Sequence, residues 1–219
     1  SYMWRMKTQD ILTPDSFYVG LRDLEQWAKQ TEQPMDRAIL HSLIAEFYAN
    51  YAADNQWQLR QRTEIVGETP SADIREWTAN MFVEKVRTNV KEALADSLLL
   101  LKTSSRNYIP FVELGETSEY YHHDMYHLLA SRAVRALNQI ERLERGSFNG
   151  ITVSPVKQDI INIYERMSDA YETAGLKEGY VLTMLQYLEW ERGNDNKLQP
   201  VQLKKGLGEW TADTYNAAL

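Results

Sequence analysis

The stretch LHSLIAEFYANYAADNQWQLRQRTEIVGETPSADIREWTANMF, residues 40–82, decides the fold class of this chain. Its first half carries apolar side chains three or four residues apart, the spacing that forms one face of an α-helix. These side chains are Leu40, Leu43, Ile44, Phe47, Tyr48 and Tyr51. The segment contains no nucleophile motif, metal-ligand cluster or phosphate-binding loop, so it indicates a fold and not a reaction. Its aromatic residues, Trp57 and Trp77 among them, are expected to be buried in the core.

Start and stop signals on both sides of this stretch predict further helices. Pro14, at a first helical position, predicts a helix that runs to about Lys29. Ser71 is a good N-cap residue. We therefore expect it to begin a helix that carries Ile74 and Trp77 on its apolar face and continues to about residue 101.

The C-terminal half repeats the same kind of pattern. An apolar stripe predicts a helix from about residue 125 to the glycine at position 146. Pro155 begins the next helix, Gly175 ends it, and residues 176–192 form another. The pair Gln199-Pro200 predicts a last helix. No segment shows a convincing alternation of apolar and polar residues, so the predicted fold class is all-α.

Helices joined by tight turns, as in residues 155–192, predict stacked antiparallel helix pairs, an α-solenoid-like array of degenerate tetratricopeptide-like character. No repeat of about 34 residues with tetratricopeptide spacing is present. The small and polar residues 147–154 predict a linker. It would separate a helical region, residues 1–146, from a helical-hairpin region, residues 155–219, that packs on the first or continues it.

Composition excludes several classes of function. The net charge is −7 and no basic stripe occurs, which argues against nucleic-acid binding. The chain has no cysteine, and this removes disulfides, zinc-thiolate sites, cysteine nucleophiles and thioesters from it. The longest apolar run, the leucines at 98–101, is too short to span a membrane. No signal-peptide pattern stands at the start of the sequence.

One cluster has a composition that could support chemistry: His122, His123, Asp124 and His127. On a helix, His123 and His127 would lie one turn apart, as zinc ligands can, which makes them candidate metal ligands. No third ligand is defined, and histidines at a helix start or on the surface explain the pattern equally well. Glu119 and His122 have the spacing of di-metal helical bundles, but the second motif that such a site needs does not occur. We therefore predict no catalytic residue, no metal and no cofactor.

Two arginines close to the centre of the opening stretch are candidates for ion pairs. Arg60 and Arg62 are expected to pair with Glu64, with Glu76 or with a carboxylate of a partner.

Two blocks of the sequence carry a distinctive order of residues. The first, LHSLIAEFYANYAADNQWQLRQRTEI followed by DIREWTANMFVEKV, supplies Leu40, His41, Ser42, Tyr51, Asn55, Trp57, Arg62, Thr63, Glu76, Trp77, Thr78, Asn80 and Phe82. The second, YIPFVELGETSEYYHHDMYHLLASRAV, supplies Tyr126, Leu129, Ala130, Arg132 and Ala133. In this order the blocks resemble the N-terminal helical region of large bacterial alpha-2-macroglobulin-like proteins. The chain departs from that pattern at His127, where an acidic residue is expected.

The resemblance implies a larger parent protein of the periplasm or cell envelope that restrains attacking proteases. Macroglobulin-type β-sandwich domains downstream in that parent would be the main partners of this chain, with other proteins as further partners. The chain itself would be a non-catalytic scaffold or docking platform, and its motif residues would be structural. Those residues are Trp57, Arg62, Trp77, Asn80, Phe82, Tyr126 and Arg132.

Two alternatives stay open at this point. The first is a freestanding helical-repeat module for protein–protein interaction, which predicts an exposed concave aromatic face. The second is a metal-dependent helical-bundle enzyme centred on His122, His123 and His127.

Overall fold

A computed structural model describes residues 14–62, 71, 73–109, 122–144 and 154–194. Within these ranges the chain is all-α, as the sequence predicts, and the only extended pairing there is an isolated antiparallel bridge between Ser104 and Asp124. None of the described helices is both long and apolar enough to cross a membrane.

The helices follow one another with short connections. In chain order they are α1 (Pro14–Gln30), α2 (Pro34–Asp54), α3 (Gln56–Gln61), α4 (Ala79–Ala93), α5 (Ser97–Lys102), α6 (Met125–Glu141), α7 (Pro155–Thr173) and α8 (Lys177–Asn194). Two 3₁₀ turns, Ile74–Glu76 and Ser105–Tyr108, precede α4 and follow α5.

The described residues divide into two compact units. The first unit draws on Ser1–Asp96 and Arg132–Lys157, and the second draws on Ser97–Ser131 and Gln158–Leu219. The predicted linker, residues 147–154, lies outside the described residues except for Ser154, so the predicted domain boundary stays a prediction. The predicted helix that starts at Gln199-Pro200 also lies outside them.

In the first unit, α2 is the central helix and packs against α1, α3 and α4. Pro34 stands at its first turn, where the missing backbone N–H costs nothing. Small residues on α2, such as Ala45, Ala49 and Ala52, are almost completely buried and let neighbouring helices approach closely. Ile44, directly before Ala45, contributes a fully buried apolar side chain. The core of the unit is therefore built around α2.

In the second unit, α7 and α8 form an antiparallel hairpin whose turn follows from local chemistry. Gly175 has a φ of 69°, a conformation that favours glycine, and its N–H donates to the carbonyl of Glu172 at 3.0 Å. The N–H of Leu176 reaches back to the carbonyl of Tyr171 at 2.9 Å. This pair of hydrogen bonds is the Schellman motif that ends many helices. The predicted break at Gly175 is confirmed, as are the helix starts at Pro14 and Pro155.

The prediction of one helix from Ser71 to about residue 101 is wrong. Asp73, and not Ser71, caps the first turn, which is a 3₁₀ turn, and its carboxylate accepts from the backbone N–H of Arg75 at 2.9 Å. Trp77 then adopts an extended backbone, with φ −68° and ψ 146°, and α4 begins only at Ala79. A second break separates α4 from α5. The capture of Arg75 by Asp73 competes with a continuous helix here.

Candidate functional site

Asp124 lies at the centre of the polar cluster that the sequence singled out. It immediately precedes α6 and is only 3% exposed. Its Oδ1 accepts a hydrogen bond from the backbone N–H of His127 at 2.7 Å. This is the geometry of an N-cap residue, which satisfies a donor that the helix itself leaves unpaired.

Two side chains from other elements of the second unit converge on the same carboxylate. The hydroxyl of Tyr171, on α7, lies 3.0 Å from Oδ1 and 2.9 Å from Oδ2 of Asp124, and it is the donor. Burial, with Asp124 next to it, raises the pKa of Tyr171, so the hydroxyl keeps its proton. Nδ1 of His122 lies 2.7 Å from Oδ2 of Asp124, and this hydrogen bond raises the pKa of His122.

His127 occupies a different environment although it follows three residues later. Its side chain is 0% exposed, and its Nε2 lies 3.0 Å from Oε1 of Gln186 on α8. Burial lowers the pKa of His127 to about 4, so the ring is neutral near neutral pH. A neutral imidazole protonated on Nε2 donates this hydrogen bond to Gln186.

The arrangement connects elements of the second unit to one another. The carboxylate of Asp124 accepts hydrogen bonds from the start of α6, from α7 and from the segment before α6, and His127 adds a link to α8. Both Asp124 oxygens already have partners, and the Asp124 side chain is buried while His122 is partly exposed. Such a network rigidifies a core.

The predicted helical pairing of His123 with His127 is wrong. Helix α6 begins at Met125, so His123 precedes it, and the carbonyl oxygen of His123 accepts from the backbone N–H of Ser105 at 3.0 Å. Asp124 caps the helix and thereby places the helix start after His123. Among the described residues, no three His, Asp or Glu side chains are arranged to hold a metal ion.

The motif residues of the first block meet in an aromatic cluster of the first unit. Trp77 stacks on Tyr48 of α2 with 5.4 Å between ring centroids, and it lies 5.3 Å from Phe82 of α4. Phe82 in turn stacks on Tyr51 at 5.5 Å. Trp77 is 9% exposed, which confirms its predicted burial, and its Nε1 donates to the carbonyl of Ser71 at 2.7 Å.

The predicted burial of Trp57 is wrong, because this side chain is 73% exposed. Helix α3 has only six residues and buries Leu59, which is 1% exposed. Residues two apart on a helix point in directions roughly 200° apart. Once Leu59 faces the core, Trp57 faces solvent.

The two arginines next to this tryptophan contact backbone carbonyl oxygens. Arg62 donates from Nη1 to the carbonyl of Trp77 at 2.6 Å and so attaches the end of α3 to the aromatic cluster. Arg60 donates from Nη2 to the carbonyl of Arg142 at 2.9 Å. Glu64 lies outside the described residues, so its pairing stays a prediction.

The remaining motif residues have different environments. Tyr126 is buried and lies 6.3 Å from Tyr171 between ring centroids, whereas Asn80 is exposed at the start of α4. Arg132 forms an ion pair with Glu46 of α2.

Sequence reasoning missed the polar contacts between α2 and the C-terminal part of α6. Beside the Arg132–Glu46 pair, Nε2 of Gln139 donates to Oδ1 of Asn50 at 2.9 Å. Glu46 and Asn50 are one turn apart on α2, and Arg132 and Gln139 are two turns apart on α6. Polar residues spaced by whole turns along each helix were the available signal.

Comparison with protein-family models, with curated proteins and with solved structures found no match to this chain. The family resemblance therefore rests on the two sequence blocks quoted above and stays a prediction.

Proposed function

We propose that this chain is a non-catalytic helical scaffold and interaction domain of a bacterial alpha-2-macroglobulin-like protein. Its parent would be extracytoplasmic and would restrain attacking proteases, with macroglobulin-type domains as the direct partners of the scaffold. The observation that carries the proposal is the packing of the motif residues. Trp77, Phe82 and Tyr51 meet in one cluster, and Arg62 binds the backbone of that cluster.

A sequence pattern that encodes packing is what a scaffold needs. The aromatic cluster buries large ring surfaces, which dominate the stability of a core. Polar side chains reinforce it: the hydroxyl of Tyr48 donates to Glu25 at 2.9 Å, and Lys85 lies 2.7 Å from the same carboxylate. These ionisable groups serve to fix α1, α2 and α4 to one another.

The polar cluster of the second unit supports the same role. Asp124 and Tyr171 are buried and hydrogen-bonded to each other, and His127 is neutral and bonded to Gln186. A general acid or base must reach its substrate, directly or through one water molecule. Buried groups that bind one another instead stabilise the helices that carry them.

Within this proposal the helices form a degenerate array of stacked antiparallel pairs. Two short connections between neighbouring helices support this arrangement. The pair α7–α8 is joined by a tight Schellman turn, and α1 and α2 are joined by three residues. Short connections of this kind favour antiparallel neighbours.

The size and location of the native protein test the proposal directly. An antibody raised against this chain should detect a band several times larger than 25.5 kDa in the cell-envelope fraction. A soluble band at the mass of the chain itself would refute the proposal.

One observation favours a second candidate, a freestanding module for protein–protein interaction. Trp57 and Trp27 are 73% and 53% exposed, and exposed tryptophans are common anchors at interfaces. The same blot decides between the two, because a freestanding module has the mass of the chain alone.

A further inference from the structure

His122 joins the segment before α6, residues 122–124, to α7 through one carboxylate. Its Nδ1 lies 2.7 Å from Oδ2 of Asp124, and the hydroxyl of Tyr171 on α7 lies 2.9 Å from the same oxygen. The rings of His122 and Tyr171 also contact each other, with 5.4 Å between centroids and 64° between ring planes. We call His122, Asp124 and Tyr171 the latch.

Solvent reaches one member of the latch. The side chain of His122 is 23% exposed, whereas Asp124 and Tyr171 are buried. The imidazole can therefore exchange protons with water while the carboxylate that it contacts stays buried. Histidine is also the side chain whose ordinary pKa places its change of charge near neutral pH.

The charges near His122 favour its protonated form. The hydrogen bond to Asp124 raises the pKa of His122, burial opposes this effect, and the charges of Asp124 and of Glu178 on α8 raise the pKa further. Tyr171 keeps its proton, because burial and the charge of Asp124 raise its pKa. His127 on α6 is neutral near neutral pH, because burial lowers its pKa to about 4.

Protonation strengthens the attachment of the segment to Asp124. An imidazolium adds the attraction of opposite charges to its hydrogen bond with the carboxylate, and a partly buried site screens this attraction only weakly. A neutral ring forms a weaker bond and, being partly exposed, can replace it with a bond to water. The chain therefore holds residues 122–124 more firmly when His122 is charged.

The backbone of the same segment pairs with the residues after α5. The N–H of Ser105 donates to the carbonyl of His123 at 3.0 Å, and the N–H of Met125 donates to the carbonyl of Thr103 at 2.8 Å. Loosening of residues 122–124 exposes both hydrogen bonds to water. We call the amides of Ser105 and Met125 the reporter amides.

We propose that the latch is pH-sensitive: protonated His122 fastens residues 122–124 to α7 through Asp124, and loss of the proton loosens them. A group whose pKa is raised by folding contributes stability that is complete below its ordinary pKa, 6.5 for histidine, and lost as the pH rises through the pKa of the folded chain. The latch is therefore closed in mildly acidic solution and loosens in alkaline solution. This device goes beyond the proposed scaffold role, because it makes contacts within the second unit respond to the surroundings.

The test is amide hydrogen exchange of the full chain, followed in ¹H–¹⁵N correlation spectra between about pH 6 and 8.5. After correction for intrinsic exchange, the protection of the reporter amides should fall by about fivefold over this range, the size expected when a partly exposed ion pair is lost. The amide of Leu182, inside α8, should keep its protection, because it reports opening of the whole second unit.

Variants identify the group that responds. His122→Gln and Asp124→Asn should each remove the pH dependence of the reporter amides. If Asp124→Asn fails to fold without its helix cap, His122→Gln gives the same test at a partly exposed position. His123→Gln is the matched control, because it removes the adjacent histidine and leaves the latch in place, so the pH dependence should remain.

Three results would overturn the proposal. Protection of the reporter amides that does not change with pH would show that the charge of His122 does not fasten the segment. The same change in His122→Gln as in the wild type would assign the response to another group. A parallel loss of protection at Leu182 would show that the whole second unit opens and not the latch alone.

Discussion

Replacement of Gly179 by alanine tests the packing of the α7–α8 hairpin against an opposing local effect. In an exposed helical position, glycine to alanine stabilises by up to about 1 kcal/mol. At Gly179, however, a Cβ atom would lie 2.5 Å from Cδ1 and 2.6 Å from Cε1 of the Tyr171 ring. Real Cβ atoms do not approach other heavy atoms this closely, so the ring or the helix must move.

The ring of Tyr171 cannot move without cost, because its hydroxyl is bonded to Asp124 and its side chain is fully buried. Overpacking of this kind costs about 1–3 kcal/mol. A hydrogen bond to a charged group, if the shift breaks it, adds about 1.5–3 kcal/mol. After subtraction of a propensity gain of about 1 kcal/mol, we expect Gly179→Ala to lower the free energy of unfolding by up to about 2 kcal/mol if the hydrogen bond survives, and by about 1.5–5 kcal/mol if it breaks.

Urea unfolding followed by circular dichroism measures this change, and the same helix offers a matched control. At Gly193 an added Cβ meets nothing within 4 Å, so Gly193→Ala should be neutral or slightly stabilising. In a Tyr171→Ala background the cost of Gly179→Ala should disappear, because the clashing ring is gone. A Gly179→Ala chain as stable as the wild type, or an unchanged cost without the ring, would refute the reasoning.

Three further substitutions test the two clusters in the same assay. Trp77→Ala should lower the free energy of unfolding by about 3–5 kcal/mol, whereas Trp57→Ala should change it by less than about 0.5 kcal/mol; equal effects would contradict the assigned burial. Tyr171→Phe should cost about 1.5–3 kcal/mol, because it removes the hydroxyl that Asp124 binds, and a neutral result would show that the hydrogen bond is unimportant. His127 has a pKa of about 4 in the folded chain against an ordinary value of 6.5. Its neutral form is therefore favoured by folding, and its contribution is complete above about pH 6.5 and lost as the pH falls towards 4, about 3 kcal/mol in all. His127→Gln should remove that part of the pH dependence, and an unchanged slope between the two chains would argue against a neutral buried ring.

The helices were predictable wherever their ends depend on neighbouring residues. Pro14 and Pro155 begin helices because a first turn tolerates proline, and Gly175 ends one because glycine readily adopts a positive φ. Such signals lie within a few residues of the boundary that they set. The break before α4 was missed since two caps, Ser71 and Asp73, competed within three residues, and only the bond from Asp73 to Arg75 decides between them.

The contacts within the two clusters were less predictable, because the residues that meet there are far apart in sequence. His127 and Gln186 are 59 residues apart, and Asp124 and Tyr171 are 47 apart. Nothing in the neighbouring sequence predicts that Trp57 and Trp77 differ in burial, as both were expected on the apolar face of a helix. Trp57 faces solvent because Leu59 takes the core side of α3, whereas the extended backbone at Trp77 lets its ring pack on Tyr48 and Phe82.

Asp124 takes part both in a helix end set by neighbouring residues and in contacts with residues far away in the sequence. Its N-cap bond to His127 is local, and an aspartate immediately before an apolar helical stripe is a signal for it. A cap needs only one carboxylate oxygen, and the second oxygen is then open to a donor from another element. Tyr171 and His122 take that position, so the start of α6 is tied to α7 by the residue that begins it. A carboxylate, a tyrosine and a histidine close together are a common set of catalytic groups. Here they share hydrogen bonds inside the second unit, and that use of them is consistent with a scaffold.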